Sequence, residues 1–451
     1  MKKVYLFLLS FLGSLMLLIG MLSVVMPHDS NNGAGDSITP KPALTWAKVF
    51  DGTFMTEMEE HYADTFPFHS ELLSANRALN QFYYFSVGEN NYLIIDFNGG
   101  VEQGGNQPNP VDPDNQGETQ DPVTPPNVPD EPVVKPPQLE EPDEDEVISA
   151  GNIIFVGDRA MDVPYAVNDA IVKYGQTVSQ IAELMGDDIR VISLITPNAA
   201  QFYTPKSLHT GSRDQKAMIE KCYANMSDKV ITVDAYSPIA AHVDEYLYFR
   251  TDHHWTQLGA YYAYTGFCKA LGYTAPAITD YESGVHENLV GSMYTWSKNY
   301  PQSKLLKDNP DTLTYYLPRY NTKTTCYQIG NLNYGYSMPI IDTNFSKTYL
   351  GKYMCFLGGD YAITVVESEA EGGTIMVLKE SYGNAFIPFL AEHYSKIIAI
   401  DPREFSGDGK PVMDIVQYAK DNNVDDVLVM NYPFMINNNS YINKIKNIMP
   451  K

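Results

Sequence analysis

The chain has 451 residues, 44% of them hydrophobic, which is enough for two or three domains or for one large domain with appendages. A net charge of −24 excludes a nucleic-acid surface, because phosphate binding needs a basic face, and it argues against long-range attraction to anionic lipid. Four cysteines, Cys222, Cys268, Cys326 and Cys355, form no CxxC motif, which removes zinc ribbons and thioredoxin-type sites; a Cys326–Cys355 disulfide and buried free thiols both stay open.

Lys2 and Lys3 precede Val4–Met26, a run of 23 residues without a charge. That length spans a bilayer as a helix, and the lysines would stay inside, so residues 1–30 are expected to be a membrane anchor with the rest of the chain exported. The competing reading is a cleaved signal peptide, for which the apolar run is long and lacks a convincing A-x-A site. Residues 31–44 read as a polar spacer. Residues 45–96 begin with helical spacing of Phe50, Phe54, Met58, Leu72, Leu73, Leu79 and Phe82, and end in a strand, NNYLIID at 90–96. Residues 97–150 carry eleven prolines; within them, 102–146 hold thirteen acidic residues and one lysine, half of the total net charge. Such a stretch buries too little apolar surface to offset chain entropy and is expected to be extended and disordered.

From 151 to 451 the pattern alternates. Strands are expected at 152–157, 190–197, 230–235, 373–379, 396–401 and 426–431, and helices at 166–186, 213–226, 256–272 and 385–394. Short apolar strands separated by helices predict an α/β fold with a mainly parallel sheet covered on both faces. Residues 285–365, rich in Tyr, Asn and Pro, break the rhythm and read as an irregular or antiparallel insertion.

Two places could carry chemistry. In "YLYFRTDHHWTQLGAYYAY" (246–264), Asp252 and His254 are two apart. In an extended segment they share a side while His253 points away. An Asp that holds an imidazole by one nitrogen leaves the other free as a base. The plainer reading is a polar turn, with Asp252 or Thr256 capping the helix that follows. A zinc site would draw on Asp252, His253, His254 and His242 or Asp244, but adjacent histidines that face apart do not share one ion, so no metal ligand set and no cofactor is assigned. In "MVLKESYGNAFIPFL" (376–390), a buried strand ends, Ser381 follows, and Gly383 opens a helix. This layout lifts a serine hydroxyl above the carboxyl edge of a sheet, with main-chain N–H groups at 381–383 as an oxyanion hole, although the motif is not G-x-S-x-G and a serine there is more often an N-cap. Asn384 reads as a further oxyanion donor or a turn residue, and Glu380 receives no role. Arg250 and Arg403 read as surface ion pairs or contacts to a polyhydroxyl substrate. Trp255 and the aromatics Tyr294, Trp296, Tyr315, Tyr316 and Tyr334 read mostly as packing, with one or two as sugar contacts.

These motifs, with DGTFMTEMEEHYADTFPFHSE (51–71), GSMY (291–294), FLGGDY (356–361) and IDPREF (400–405), resemble the DHHW family of exported bacterial proteins. More distantly, the chain is similar to the SGNH-like O-acetyltransferases that acetylate alginate and other exopolysaccharides. The resemblance implies a three-layer α/β/α domain with Asp252, His254 and Ser381 as a triad and Tyr382, Gly383 and Asn384 near the oxyanion. It also implies an extracellular O-acetyltransferase held at the cell membrane, an exported polysaccharide or envelope polymer as substrate, and a membrane-bound O-acyltransferase as partner. An esterase with the same triad, or a non-catalytic glycan-binding scaffold, is the alternative. Where Glu380 stands the family more often suggests Asp, and the acidic stretch is an addition to its pattern.

Overall fold

The structure, a computed structural model, describes residues 153–328, 331–345, 351–405 and 410–450, together with 48, 92–95, 101–104, 142 and 147–150. The expected anchor, the spacer, nearly all of the helical run at 45–87 and most of the acidic stretch lie outside the described residues. The chain divides into two compact units, Met1–Pro126 and Asn127–Lys451. In the first, β1 (Tyr92–Ile95) pairs antiparallel with β2 (Val101–Gly104). Among the described residues no helix is long and apolar enough to cross a membrane.

The second unit opens with β3 (Val147–Ala150), β4 (Ile153–Val156) and β5 (Arg159–Asp162), an antiparallel three-stranded sheet. This corrects two expectations: the stretch at 97–150, read as extended and disordered, ends in a strand, and 152–157 does not belong to the parallel sheet. Only Gly157 and Asp158 separate β4 from β5, Gly157 at φ 58°, a hairpin connection too short for the crossover that parallel pairing needs.

The main elements follow as α1 (Asn168–Met185), β6 (Arg190–Ile195), α2 (Gln215–Tyr223), β7 (Val230–Val233) and α3 (Gln257–Leu271). Then come β8 (Ser283–Leu289), α4 (Ser292–Ser297), α5 (Ser303–Asp308), β9 (Asp311–Tyr316), β10 (Thr322–Gln328), β11 (Asn331–Met338) and β12 (Ile363–Ser368). The chain closes with β13 (Thr374–Lys379), α6 (Gly383–Leu390), β14 (Lys396–Ile400), α7 (Ile415–Asp421), β15 (Asp426–Asn431) and α8 (Asn439–Asn447).

The central sheet has eight strands in the order β11-β10-β12-β14-β13-β15-β6-β7. From β14 to β7 the pairings are parallel; β11, β10 and β12 extend it antiparallel. The stretch at 285–365 is thus antiparallel as expected, yet β10 and β12 continue the main sheet and only β8 and β9 pair apart from it. Alternation along the strands supplies two cores. Ile192, Leu194, Ile375, Val377, Leu428 and Met430 face α3 and α6, whereas Val191, Ile195, Met376, Leu378, Val427 and Val429 face α1, α2, α7 and α8. α1 meets the second core with Ile171, Tyr174, Val178, Ile181 and Met185, spaced three and four apart. The result is a three-layer α/β/α domain. All four cysteines are buried and free, so the Cys326–Cys355 pairing is not formed.

Candidate active site

β13 runs parallel between β14 and β15 and ends at Lys379, which brings Glu380 and Ser381 to the carboxyl edge of the sheet before α6 begins. Ligands in open α/β sheets gather at that edge. The acid–base loop arrives between β7 and α3. Tyr248 bridges Trp255 antiparallel, which pinches residues 249–254 into a bend, and the Thr256 side chain accepts the Gly259 N–H to cap α3.

Several partners hold the bend. The buried Asp311 carboxylate on β9 accepts the Thr251 N–H at 2.8 Å, the Thr251 hydroxyl at 2.7 Å and the Arg250 Nε–H at 3.1 Å. Arg159 donates to the Tyr248 and Phe249 carbonyls at 3.0 and 2.9 Å. Because the segment is bent rather than extended, His253 does not point away: its ring centroid lies 3.7 Å from that of His254, and its Nδ1 lies 2.6 Å from the Ser292 hydroxyl.

Asp252, His254 and Ser381 come together although 127 residues separate the last two. His254 Nδ1 lies 2.6 Å from Asp252 Oδ1, and His254 Nε2 lies 2.8 Å from Ser381 Oγ. Asp252 Oδ1 also accepts the His254 main-chain N–H at 2.9 Å, and Oδ2 accepts the Ser292 N–H at 2.8 Å. Burial opposes charge on Asp252, but the His254 and His253 imidazoles and the Ser292 N–H outweigh it and hold the carboxyl well below the usual range. An ionised Asp252 only accepts, so in the neutral ring the proton sits on His254 Nδ1, and Nε2 receives the Ser381 hydroxyl. Burial, followed by the charge of His254, lowers His253 to about 3, which keeps it neutral.

The remaining expected site residues divide. Trp255 is core: it packs near Phe386, and its Nε1–H donates to the Tyr382 carbonyl at 3.0 Å. Tyr382 is buried, stacks on Tyr432 at 4.4 Å between centroids, and donates its hydroxyl to the His253 carbonyl. Gly383 has no left-handed φ; it leaves room for the Lys379 side chain, against which a Cβ would press. The Tyr382 N–H is spent on Glu380 Oε2 at 2.9 Å and the Gly383 N–H on the Glu380 carbonyl at 3.0 Å, because α6 starts at once, which corrects the expectation that main-chain groups at 382 and 383 are free for an oxyanion. Among the described residues the Ser381 N–H makes no main-chain turn or loop hydrogen bond. Arg250 is turned to Asp158 and Asp311 and does not line the cleft. Arg403 binds Asp401 and, at 2.7 Å, Asp360 Oδ2, so it reaches the cleft only through Asp360.

A cleft of about 430 Å³ opens over the three side chains, lined among others by Thr295, Trp296, Tyr353, Met354, Asp360 and Asn384. Asn384 is buried. Its Oδ1 accepts the Lys379 ammonium at 2.5 Å and its Nδ2 donates to Asp360 Oδ1 at 3.0 Å. An amide N–H₂ cannot face an ammonium, so this orientation is fixed by chemistry. Burial opposes ionisation of Asp360, but Lys379, Arg403 and Asn384 overcome it and hold the carboxyl well below its ordinary value.

Four contributors were not legible as such. Tyr353 lays its ring flat on His254, with centroids 3.8 Å apart and planes 5° from parallel, and its hydroxyl donates to the Ser381 carbonyl at 3.1 Å. Gly291 packs directly on Asp252, where a Cβ would overlap the carboxylate. Ser292 holds Asp252 and His253, and Asp360 orients Asn384. The motifs GSMY and FLGGDY marked three of these positions without indicating what they do; Tyr353, in a short 3₁₀ turn, carried no pattern.

The ligating atoms of Asp252, His253 and His254 lie within 4.8 Å of one another, closer than residues facing apart would allow. Both His254 nitrogens and His253 Nδ1 are already engaged by Asp252, Ser381 and Ser292, so a bound ion would have to displace these contacts.

The DHHW protein family model matches residues 142–400. A DHHW family protein from Eubacterium siraeum is 26% identical with a TM-score of 0.59, covering 68% of this chain and 99% of that one. Bacillus cereus PatB1 with a sulfonyl adduct is 19% identical with a TM-score of 0.54, covering 66% and 99%. The O-acetyltransferase domain of Pseudomonas putida AlgJ is 14% identical with a TM-score of 0.36, covering 67% and 98%. None of the curated proteins matches this chain. The family match spans more than half of the 451 residues, and the chain belongs to the DHHW family.

Proposed function

We propose that the protein is an extracytoplasmic O-acetyltransferase that modifies an exported polysaccharide or other envelope polymer through an acyl-Ser381 intermediate. The observation that carries this reading is the imidazole of His254, which spans a buried carboxylate on one nitrogen and the Ser381 hydroxyl on the other. As Ser381 Oγ attacks an acyl carbonyl, His254 Nε2 takes its proton, Asp252 stabilises the imidazolium, and His254 returns the proton to the leaving oxygen. The oxyanion is held by the Ser381 N–H and by the second N–H of Asn384 Nδ2, which the Lys379–Asp360 brace turns away from Asp360. A sugar hydroxyl then attacks the acyl-serine with His254 again as base. Transfer to a sugar rather than water follows from the resemblance of the motifs to alginate-type O-acetyltransferases, and the open, aromatic-edged cleft supports it. The acyl group would reach the site through a membrane-bound O-acyltransferase, and the apolar N-terminus would keep the domain at the outer face of the membrane.

The test is incubation of the exported domain with an activated acetyl ester, with and without oligosaccharides. Acetylated sugar, acetyl on Ser381 by mass spectrometry, and a loss of about 10⁴-fold or more in S381A and H254A are expected. Free acetate alone would make the protein an esterase, and no turnover with glycan binding intact would make it a scaffold.

A further inference from the structure

Glu380 stands between the last ladder residue of β13 and the nucleophile, and the mechanism above does not use it. It is 1% exposed. Oε2 accepts the Tyr382 N–H at 2.9 Å, while Oε1, equally buried, makes no hydrogen bond among the described residues. A buried carboxyl oxygen left unmatched beside a reacting group is costly and calls for a reason.

Its surroundings supply one. Arg403, His254 and Asp360 act on it through their charge, and its own charge is felt by the phenols of Tyr174, Tyr353, Tyr382, Tyr432 and Tyr441. Burial holds all five phenols well above their ordinary value, so they stay neutral. Arg403 is committed to Asp401 and Asp360, and Asp360 to Lys379 and Arg403. His254 is left as the neighbour whose charge changes during the reaction.

We propose that Glu380 is a positioning residue that fixes the Ser381 turn through the Tyr382 N–H and, when ionised, serves as a remote counter-charge for the imidazolium that His254 becomes. This deepens the acyl-serine reading and rests on it. Burial first, against the Tyr382 N–H, Arg403 and His254, raises the carboxyl to about 7, so its charge appears in the neutral range. Loss of that charge on acidification therefore slows the reaction without abolishing it, in addition to the requirement that His254 be able to accept a proton.

The experiment is phenylmethylsulfonyl fluoride labelling of the exported domain as a function of pH. The Ser381 Oγ–S bond forms, the S–F bond breaks, fluoride leaves with the bonding pair, and the hydroxyl proton passes to His254 Nε2; no acceptor sugar is needed. In wild type the rate is expected to show an inflection near pH 7, a fivefold to tenfold fall beyond the loss that protonation of the base imposes. In E380Q that inflection disappears and the plateau rate falls roughly fivefold to tenfold, while E380D keeps the inflection. An unchanged limb and plateau in E380Q overturns the inference, as does a wild-type profile without that inflection, which decides the matter if E380Q does not fold. Failure of wild type to label at Ser381, or labelling that persists in S381A, sinks the triad reading instead and is distinguished by mapping the adduct.

Discussion

Asp252 has both carboxylate oxygens committed: Oδ1 to the His254 ring and main chain, Oδ2 to the Ser292 N–H. Gly291 lies against it so closely that any side chain would push the carboxylate out of line. G291A is therefore expected to lower kcat on an activated ester by about 10²-fold with KM little changed, since displacement of a catalytic group by an ångström has that scale of effect; circular dichroism would show that the fold persists. Equal kinetics in G291A and wild type would show that the loop relaxes freely. At this scale the sequence was informative where chemistry depends on residue type. An acid two residues before a histidine and a serine at the end of a buried strand were legible. The side of His253, the oxygens of Glu380 and the support from Gly291 and Ser292 were not, because they depend on a bend and on packing between segments some 40 residues apart.

A single 3₁₀ turn, Lys352–Cys355, carries much of the support at the scale of elements. Tyr353 covers one face of His254 and touches the Ser381 carbonyl, so it links the His254 loop to the Ser381 turn. Y353F keeps the ring and loses one hydrogen bond, and a loss of up to about tenfold in kcat is expected. Y353A removes the stacking surface and is expected to cost about 10²-fold by freeing the imidazole. Steady-state kinetics on both variants check the order; a larger loss in Y353F than in Y353A would contradict the stacking role. The parallel strands were readable to within two residues because continuous apolar runs such as TIMVLK and DVLVMN have few other uses. The stretch containing β8 to β12 was less so, because strands such as TKTTCYQ are polar and half exposed, and β10 and β12 join the sheet only through the pairing of β12 with β14, some 30 residues further on.

For the whole molecule, the buried carboxyls pull stability in opposite directions with pH. Glu380 binds its proton more tightly folded than unfolded, so its contribution is complete below about 4.5 and is lost as pH rises through about 7, on the order of 3 kcal/mol. Asp162, also raised to about 7 by burial, adds to the same slope. Asp252 and Asp360 are held low, so their contribution is present above the ordinary carboxylate range and is lost on strong acidification. Thermal unfolding from pH 4 to 9 is expected to show a maximum on the acidic side of neutrality, and E380Q is expected to lift Tm at pH 8 while leaving it nearly unchanged at pH 5. A Tm gain in E380Q that is equal at both pH values would mean that Glu380 is ionised throughout.

The order of strands carries one more consequence. β15 is the last strand made, yet it sits between β13, which leads to Ser381, and β6, on the side from which the His254 loop arrives. Until residue 431 has slotted into place, the sheet does not hold β13 beside β6, and only contacts such as Trp255–Tyr382 and Tyr353–Ser381 tie the hydroxyl to its base. A chain that lacks β15 is therefore expected to be chemically silent, with reactivity appearing only once the last strand completes the sheet.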